Sequence, residues 1–100
     1  MDAPNSIPRR RVDTQVRKFR GKLLVAGRNR EAFELSETAE FIFRRIDGKR
    51  TVQEIGGMVA EEFGAPLEMA VDDCAELISE LVEGRVIDVM PTGEDHEQDQ

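Results

Sequence analysis

The apolar pattern of this 100-residue chain changes period at Ser36, and that change constrains the order of its elements. Upstream of it, Val12, Thr14 and Val16 alternate with charged or polar neighbours. Leu23, Leu24, Val25 and Ala26 form a short apolar run, and Ala32 and Glu34 alternate with Phe33 and Leu35. Alternation and short apolar runs are the marks of strands. Gly21 separates the first two segments. Gly27-Arg28-Asn29-Arg30 separates the second from the third, with Gly27 and Asn29 able to take positive φ, so two hairpin turns are expected.

Downstream of Ser36 the period is 3.6. Ser36 is a natural N-cap, Glu37 and Glu40 fall in a first turn where the helix dipole favours acids, and Ala39, Ile42, Phe43 and Ile46 share one face. Gly48 is expected to supply the left-handed residue that ends this helix. Thr51-Val52-Gln53-Glu54 has the form of a capping box, opening a second helix that stops at Gly64. Gly56 and Gly57 within it each cost about 0.5–1 kcal/mol relative to Ala. Such a pair implies either close packing on a neighbouring helix or the floor of a groove. Pro66 then opens a third helix, in which Leu67, Ala70, Val71, Cys74, Leu77, Ile78 and Leu81 keep helical spacing up to Gly84. Leu77 is expected at the centre of the core. Val86, Ile87 and Val89 form a last short strand before Pro91.

This order gives an α+β fold: a three-stranded antiparallel sheet, three helices and a short C-terminal strand, winged helix-turn-helix-like in layout. Residues 12–90 are expected to form the domain, between a disordered basic arm (1–11) and a disordered acidic tail (91–100). The absence of Trp and Tyr leaves a small aliphatic core. No apolar run approaches the roughly 18–20 residues of a membrane span, and none serves as a signal peptide, so a cytoplasmic protein without a membrane partner is expected. Charge is divided unevenly. Residues 1–50 carry 13 Lys and Arg against 7 Asp and Glu, and residues 51–100 carry 1 against 14, which implies two faces with different partners.

Catalytic constellations are missing. The one histidine, His96, lies in the acidic tail, and the one cysteine, Cys74, lies on the apolar face of the third helix beside Asp72, Asp73 and Glu76. That setting suits a buried structural thiol rather than a nucleophile. Adjacent carboxylates such as Asp72 and Asp73 point about 100° apart on a helix and share no site. No phosphate-binding glycine loop occurs, and no cofactor or metal is expected. A DNA-reading helix brings Lys or Arg to phosphates. The third helix instead carries Glu68, Asp72, Asp73, Glu76, Glu80 and Glu83 with no basic residue, which disfavours nucleic acid except for nonspecific contact by Arg9-Arg10-Arg11. A nucleic-acid-binding or regulatory winged helix is therefore the alternative reading, behind a non-enzymatic binding module.

Four stretches carry a family resemblance: the apolar strand Gly21–Ala26, then Leu35-Ser36-Glu37-Thr38-Ala39, then Asp47-Gly48-Lys49-Arg50-Thr51-Val52-Gln53-Glu54-Ile55, and finally Leu77 with Leu81 before Gly84 and a Val/Ile strand. Over roughly residues 19–89 the chain resembles the PqqD family, with Cys74 where that pattern more often has Val. The resemblance implies a recognition element for ribosomally made, post-translationally modified peptides. Such a module binds the leader of a precursor peptide and presents it to a modifying enzyme, often a radical S-adenosylmethionine enzyme. It is not itself an enzyme. The leader is expected to add as a strand along Glu31, Ala32, Phe33, Glu34 and Leu35 and to lie against Met69, Asp73, Glu76, Leu77 and Glu80 of the third helix. A homodimer is left open as a further association.

Overall fold

The computed structural model describes residues 5–27 and 32–90. Its elements run β1 (Ile7–Arg10), β2 (Gln15–Phe19), β3 (Lys22–Ala26), β4 (Ala32–Leu35), α1 (Glu37–Arg44), α2 (Val52–Phe63), α3 (Leu67–Glu83) and β5 (Ile87–Met90). The chain is α+β with antiparallel strands, but the strands form two sheets: β2-β3-β4, and β1-β5 by itself.

The second sheet corrects the expected layout. Residues 7–10, expected within a disordered arm, pair with β5 in the register Ile7↔Met90, Pro8↔Val89, Arg9↔Asp88 and Arg10↔Ile87. No alternation announces this strand, because its partner comes from the other end of the chain and ion pairs help to hold it. Arg11 Nη1 donates to Asp88 Oδ1 at 2.9 Å, and Arg9 lies 3.6 Å from the other carboxylate oxygen. The strand also reaches the α1–α2 turn: the amide of Gly48 donates to the carbonyl of Pro8 at 3.1 Å, and that of Val52 to the carbonyl of Ser6 at 2.9 Å. One of the orphan amides at the start of α2 is thereby satisfied by Ser6, the residue just before β1. The disorder expected of residues 1–4 and 91–100 falls outside the described residues, as do Arg28–Arg30 of the second turn.

The first strand of the larger sheet also lies further on than the alternation implied. It spans Gln15–Phe19, and Val12 stands fully exposed before it. Leu23, Val25, Phe33 and Leu35 lie on one face of this sheet; Leu23, Val25 and Leu35 are buried and Phe33 is half-buried against the same core. Ile42 and Phe43 close over them from α1, Ile46 from the loop after it, Val52, Ile55 and Val59 from α2, and Cys74, Ile78 and Leu81 from α3.

The helix ends follow local chemistry. Ser36 Oγ accepts from the amide of Ala39 at 3.1 Å, and Thr51 and Glu54 form both halves of the capping box. Gly64 caps α2 in the left-handed region at φ 67°. Gly48 is left-handed too, at φ 78°, but α1 has already ended at Arg44 with a right-handed cap at Arg45. Gly48 therefore turns the loop rather than the helix. Asp47 holds that loop: its Oδ1 accepts from the amides of Lys49 and Arg50, both at 2.9 Å, and these bonds hold its carboxyl below the usual range.

Leu77 is the second correction. It is only half-buried, while its neighbour Ile78 is fully enclosed with Cys74 and Leu81. On a helix, adjacent residues point about 100° apart, so a broad apolar stripe leaves its outer members at the boundary.

Candidate functional site

The turn between β2 and β3 sets the direction of every backbone group in the larger sheet. Phe19 pairs with Lys22, and the two residues between them, Arg20 and Gly21, have φ of 54° and 81°. Consecutive positive φ values in a two-residue loop are those of a type I′ hairpin, in which the flanking pair exchanges both backbone hydrogen bonds. Pairs then alternate between bonded and non-bonded along the ladder. Leu23 and Val25 accordingly turn their amides and carbonyls toward β4, where they meet Leu35 and Phe33. By the same alternation Ala32 and Glu34 direct theirs to the far side. Among the described residues β4 has no partner there, so that edge is open.

The ring of Phe33 fixes where this edge lies relative to α3. It rests over Gly84 so closely that a methyl group on that residue would occupy the ring's position. A groove of about 330 Å³ lies between the start of α1, which follows β4 directly, and α3. Ser36, Thr38, Ala39 and Ile42 line one wall, and Asp73, Glu76, Leu77 and Glu80 the other. Leu77, Ala39 and Ile42 form an apolar floor. Asp73, Glu76 and Glu80 form an exposed acidic rim that, among the described residues, pairs with no cation.

Of the expected contact residues, Ala32 and Glu34 are exposed, Phe33 is half-buried and Leu35 is buried at 3% exposure. Leu35 therefore offers a leader neither its side chain nor its backbone groups, which face β3. Asp73, Glu76, Leu77 and Glu80 come together in one wall; Met69, 56% exposed, extends their stripe one turn toward the helix start. Glu31 lies outside the described residues. Sequence reasoning missed the facing wall on α1. Its signal was the run of small residues Ser36, Thr38 and Ala39 at a helix start, read only as capping chemistry.

Burial pushes the Cys74 thiol up to about 12, and it lies in the core, away from the groove. Among the described residues no group of His, Cys, Asp and Glu is placed to hold a metal ion, and no helix is long and apolar enough to cross a membrane. What the arrangement offers is an unpaired strand edge beside a groove with an apolar floor and an acidic rim. Those are the elements of recognition by strand addition.

Comparison with known proteins gives the family and the fold. The family described as coenzyme PQQ synthesis protein D (PqqD) matches residues 21–87. A protein of Gluconobacter oxydans (strain 621H) named PqqA binding protein is 44% identical over 57 residues, which is 57% of this chain and 59% of that protein. The chain thus spans less than two thirds of that relative's length. The fold resembles the solution NMR structure of the PqqD truncation of Methylobacterium extorquens PqqCD, described as a functional, stand-alone recognition element for ribosomally synthesized and post-translationally modified peptides. The TM-score is 0.68 at 23% identity, covering 82% of this chain and 88% of that one.

Proposed function

Because the chain belongs to the PqqD family, matching it over residues 21–87, we propose that it is a non-catalytic module that binds the leader of a ribosomally made precursor peptide and presents it to a modifying enzyme. The observation that carries this reading is the free edge of β4, whose backbone groups at Ala32 and Glu34 point outward and whose chain continues at Ser36 into the wall of the groove that faces α3. A leader entering as a fourth strand beside β4 gains main-chain hydrogen bonds from that edge. One apolar side chain enters the space above Leu77, Ala39 and Ile42, and its neighbours meet Asp73, Glu76 and Glu80. The name of the Gluconobacter relative supports a peptide of the PqqA kind as the class of ligand.

In this reading the winged-helix layout serves a peptide rather than DNA. The helix that would enter a DNA groove is the acidic α3, and its charge repels a polyanion. The modifying enzyme is expected to be a radical S-adenosylmethionine enzyme acting in the cytoplasm. A second copy of the chain is not needed to complete the groove, which is built from one.

Titration of the protein with a candidate leader, followed by amide chemical shifts, tests the proposal. Shifts should map to residues 32–35 and to α3 between Asp73 and Glu80. The dissociation constant should be micromolar or below, about −8 kcal/mol or better. Shifts confined to residues 1–6 and 91–100 would overturn it.

A further inference from the structure

The larger sheet has two edges, and the groove uses only one. The other is β2, the outermost strand on the side away from β4, and all five of its residues are exposed. The hairpin phase that turns Ala32 and Glu34 outward on β4 also turns the amides and carbonyls of Val16 and Lys18 outward on β2, since Gln15, Arg17 and Phe19 are the residues bonded to β3. Apolar side chains stand beside this edge: Val16 is 45% exposed, and Phe19 is 57% exposed with the Arg20 guanidinium 5.2 Å from its ring centroid. The charged residues of β2 and of its hairpin with β3 are all basic. Among the described residues Arg17, Arg20 and Lys22 pair with no carboxylate, and only Lys18 is compensated, by Glu40 at 3.4 Å.

We infer that the β2 edge is a second docking surface, and that its occupant is an acidic, strand-forming segment of a partner protein, with carboxylates alternating with branched or aromatic residues. Charge decides among occupants. Basic side chains on an edge strand keep neutral and basic strands away, but they attract an acidic one. A second copy pairing β2 with β2 would set Arg17 and Lys18 against their own like, so the edge is closed to self-association. The chain's own residues 91–100 have the acidic charge, yet no large apolar side chain to cover Val16 and Phe19. The two edges of one sheet thus select opposite partners: an acidic rim beside β4 and a basic hairpin at β2, the spatial expression of the charge division along the sequence. This surface stands apart from the leader groove and does not depend on it.

The test uses the full chain and two capped peptides of about seven residues, the span of a strand: one alternating Val and Glu, the other Val and Lys. The Val/Glu peptide should shift the amides of Val16 and Lys18 saturably and bind more weakly as salt is added. Arg17→Glu with Arg20→Glu should weaken it at least ten-fold. Lys18→Pro should do the same while leaving the β2–β3 pairs and the fold intact, because the lost amide faces outward. Glu34→Pro, which blocks the other edge, should leave it unchanged. Equal binding of the Val/Lys peptide at β2, or no shift at Val16 and Lys18 with the Val/Glu peptide, overturns the inference. So does concentration-dependent pairing of β2 without any peptide, which makes the occupant a second copy. Equal binding by a peptide of residues 91–100, or by single-stranded DNA of matched charge, overturns it as well, since charge alone would then suffice.

Discussion

Gly56 in α2 is closed against Val71 in α3: a Cβ on Gly56 would stand 2.6 Å from Val71 Cγ2 and 2.8 Å from Val71 Cα. The backbone atom cannot give way without moving the helix. The next residue, Gly57, would meet nothing within 4 Å, and it lies instead beside an open cleft on the outer side of α2. Two adjacent glycines that look alike in the sequence therefore have opposite roles.

Gly56→Ala should destabilise the protein although it improves helix propensity. The gain is about 1 kcal/mol, and overpacking against Val71 costs about 1–3 kcal/mol or more. Gly57→Ala has the gain alone, and should stabilise by about 0.5–1 kcal/mol. Urea unfolding of the two variants compares them directly, and equal midpoints would contradict the packing described.

Ile78→Ala should cost about 2–5 kcal/mol, because the side chain is fully enclosed and leaves a cavity. Leu77→Ala should cost clearly less, since one side of that residue already faces the groove. Its larger effect should fall on leader affinity. Thermal melts and leader titrations of both variants separate the two roles; a larger stability loss at Leu77 would mean that the helix is turned the other way.

Glu34→Pro and Ala32→Pro each remove an amide that points away from β3, so helix content and melting should barely change. Strand addition requires at least one of them to weaken leader binding ten-fold or more, about 1.4 kcal/mol. Parent-like affinity in both would move the peptide off β4 and onto the acidic flank of α3.

Cys74 should be inert to thiol reagents in the folded protein and should report unfolding by its rate of modification. Burial raises its pKa to about 12, against roughly 8.5 in an unfolded chain. The folded state therefore holds the proton more tightly. The associated stability is complete below about pH 8.5 and is lost as pH rises toward 12, on the order of 2 kcal/mol at about pH 10. Denaturation of the parent and of Cys74→Ala across that range should show a steeper decline in the parent. Parallel declines would place the thiol in contact with water.

Legibility in the sequence followed the range of each interaction. The three helices, the Ser36 cap, the Thr51–Glu54 capping box and the Gly64 stop depend on groups within about four residues of one another, so local residues suffice to specify them. The strands β3 and β4 were legible because one face is buried, and burial writes alternation into the chain. β2 was misplaced because it overhangs the core with every residue exposed, leaving no apolar face to read.

What the sequence by itself determined was local: where helices start and stop, which glycines turn the chain, and which half of the molecule carries each sign of charge. Only the tertiary structure decided that Ile7–Arg10 is a strand, because its pairing energy comes from β5 and Asp88 about 80 residues away. It alone decided that Leu77 belongs to the groove rather than the core, and that Ser36, Thr38 and Ala39 face Glu76 across it. Helical periodicity gives a residue's angle about its own axis; how far the neighbouring elements reach around that axis is set by the packing of the whole fold, and it is this that separates a core position from a groove.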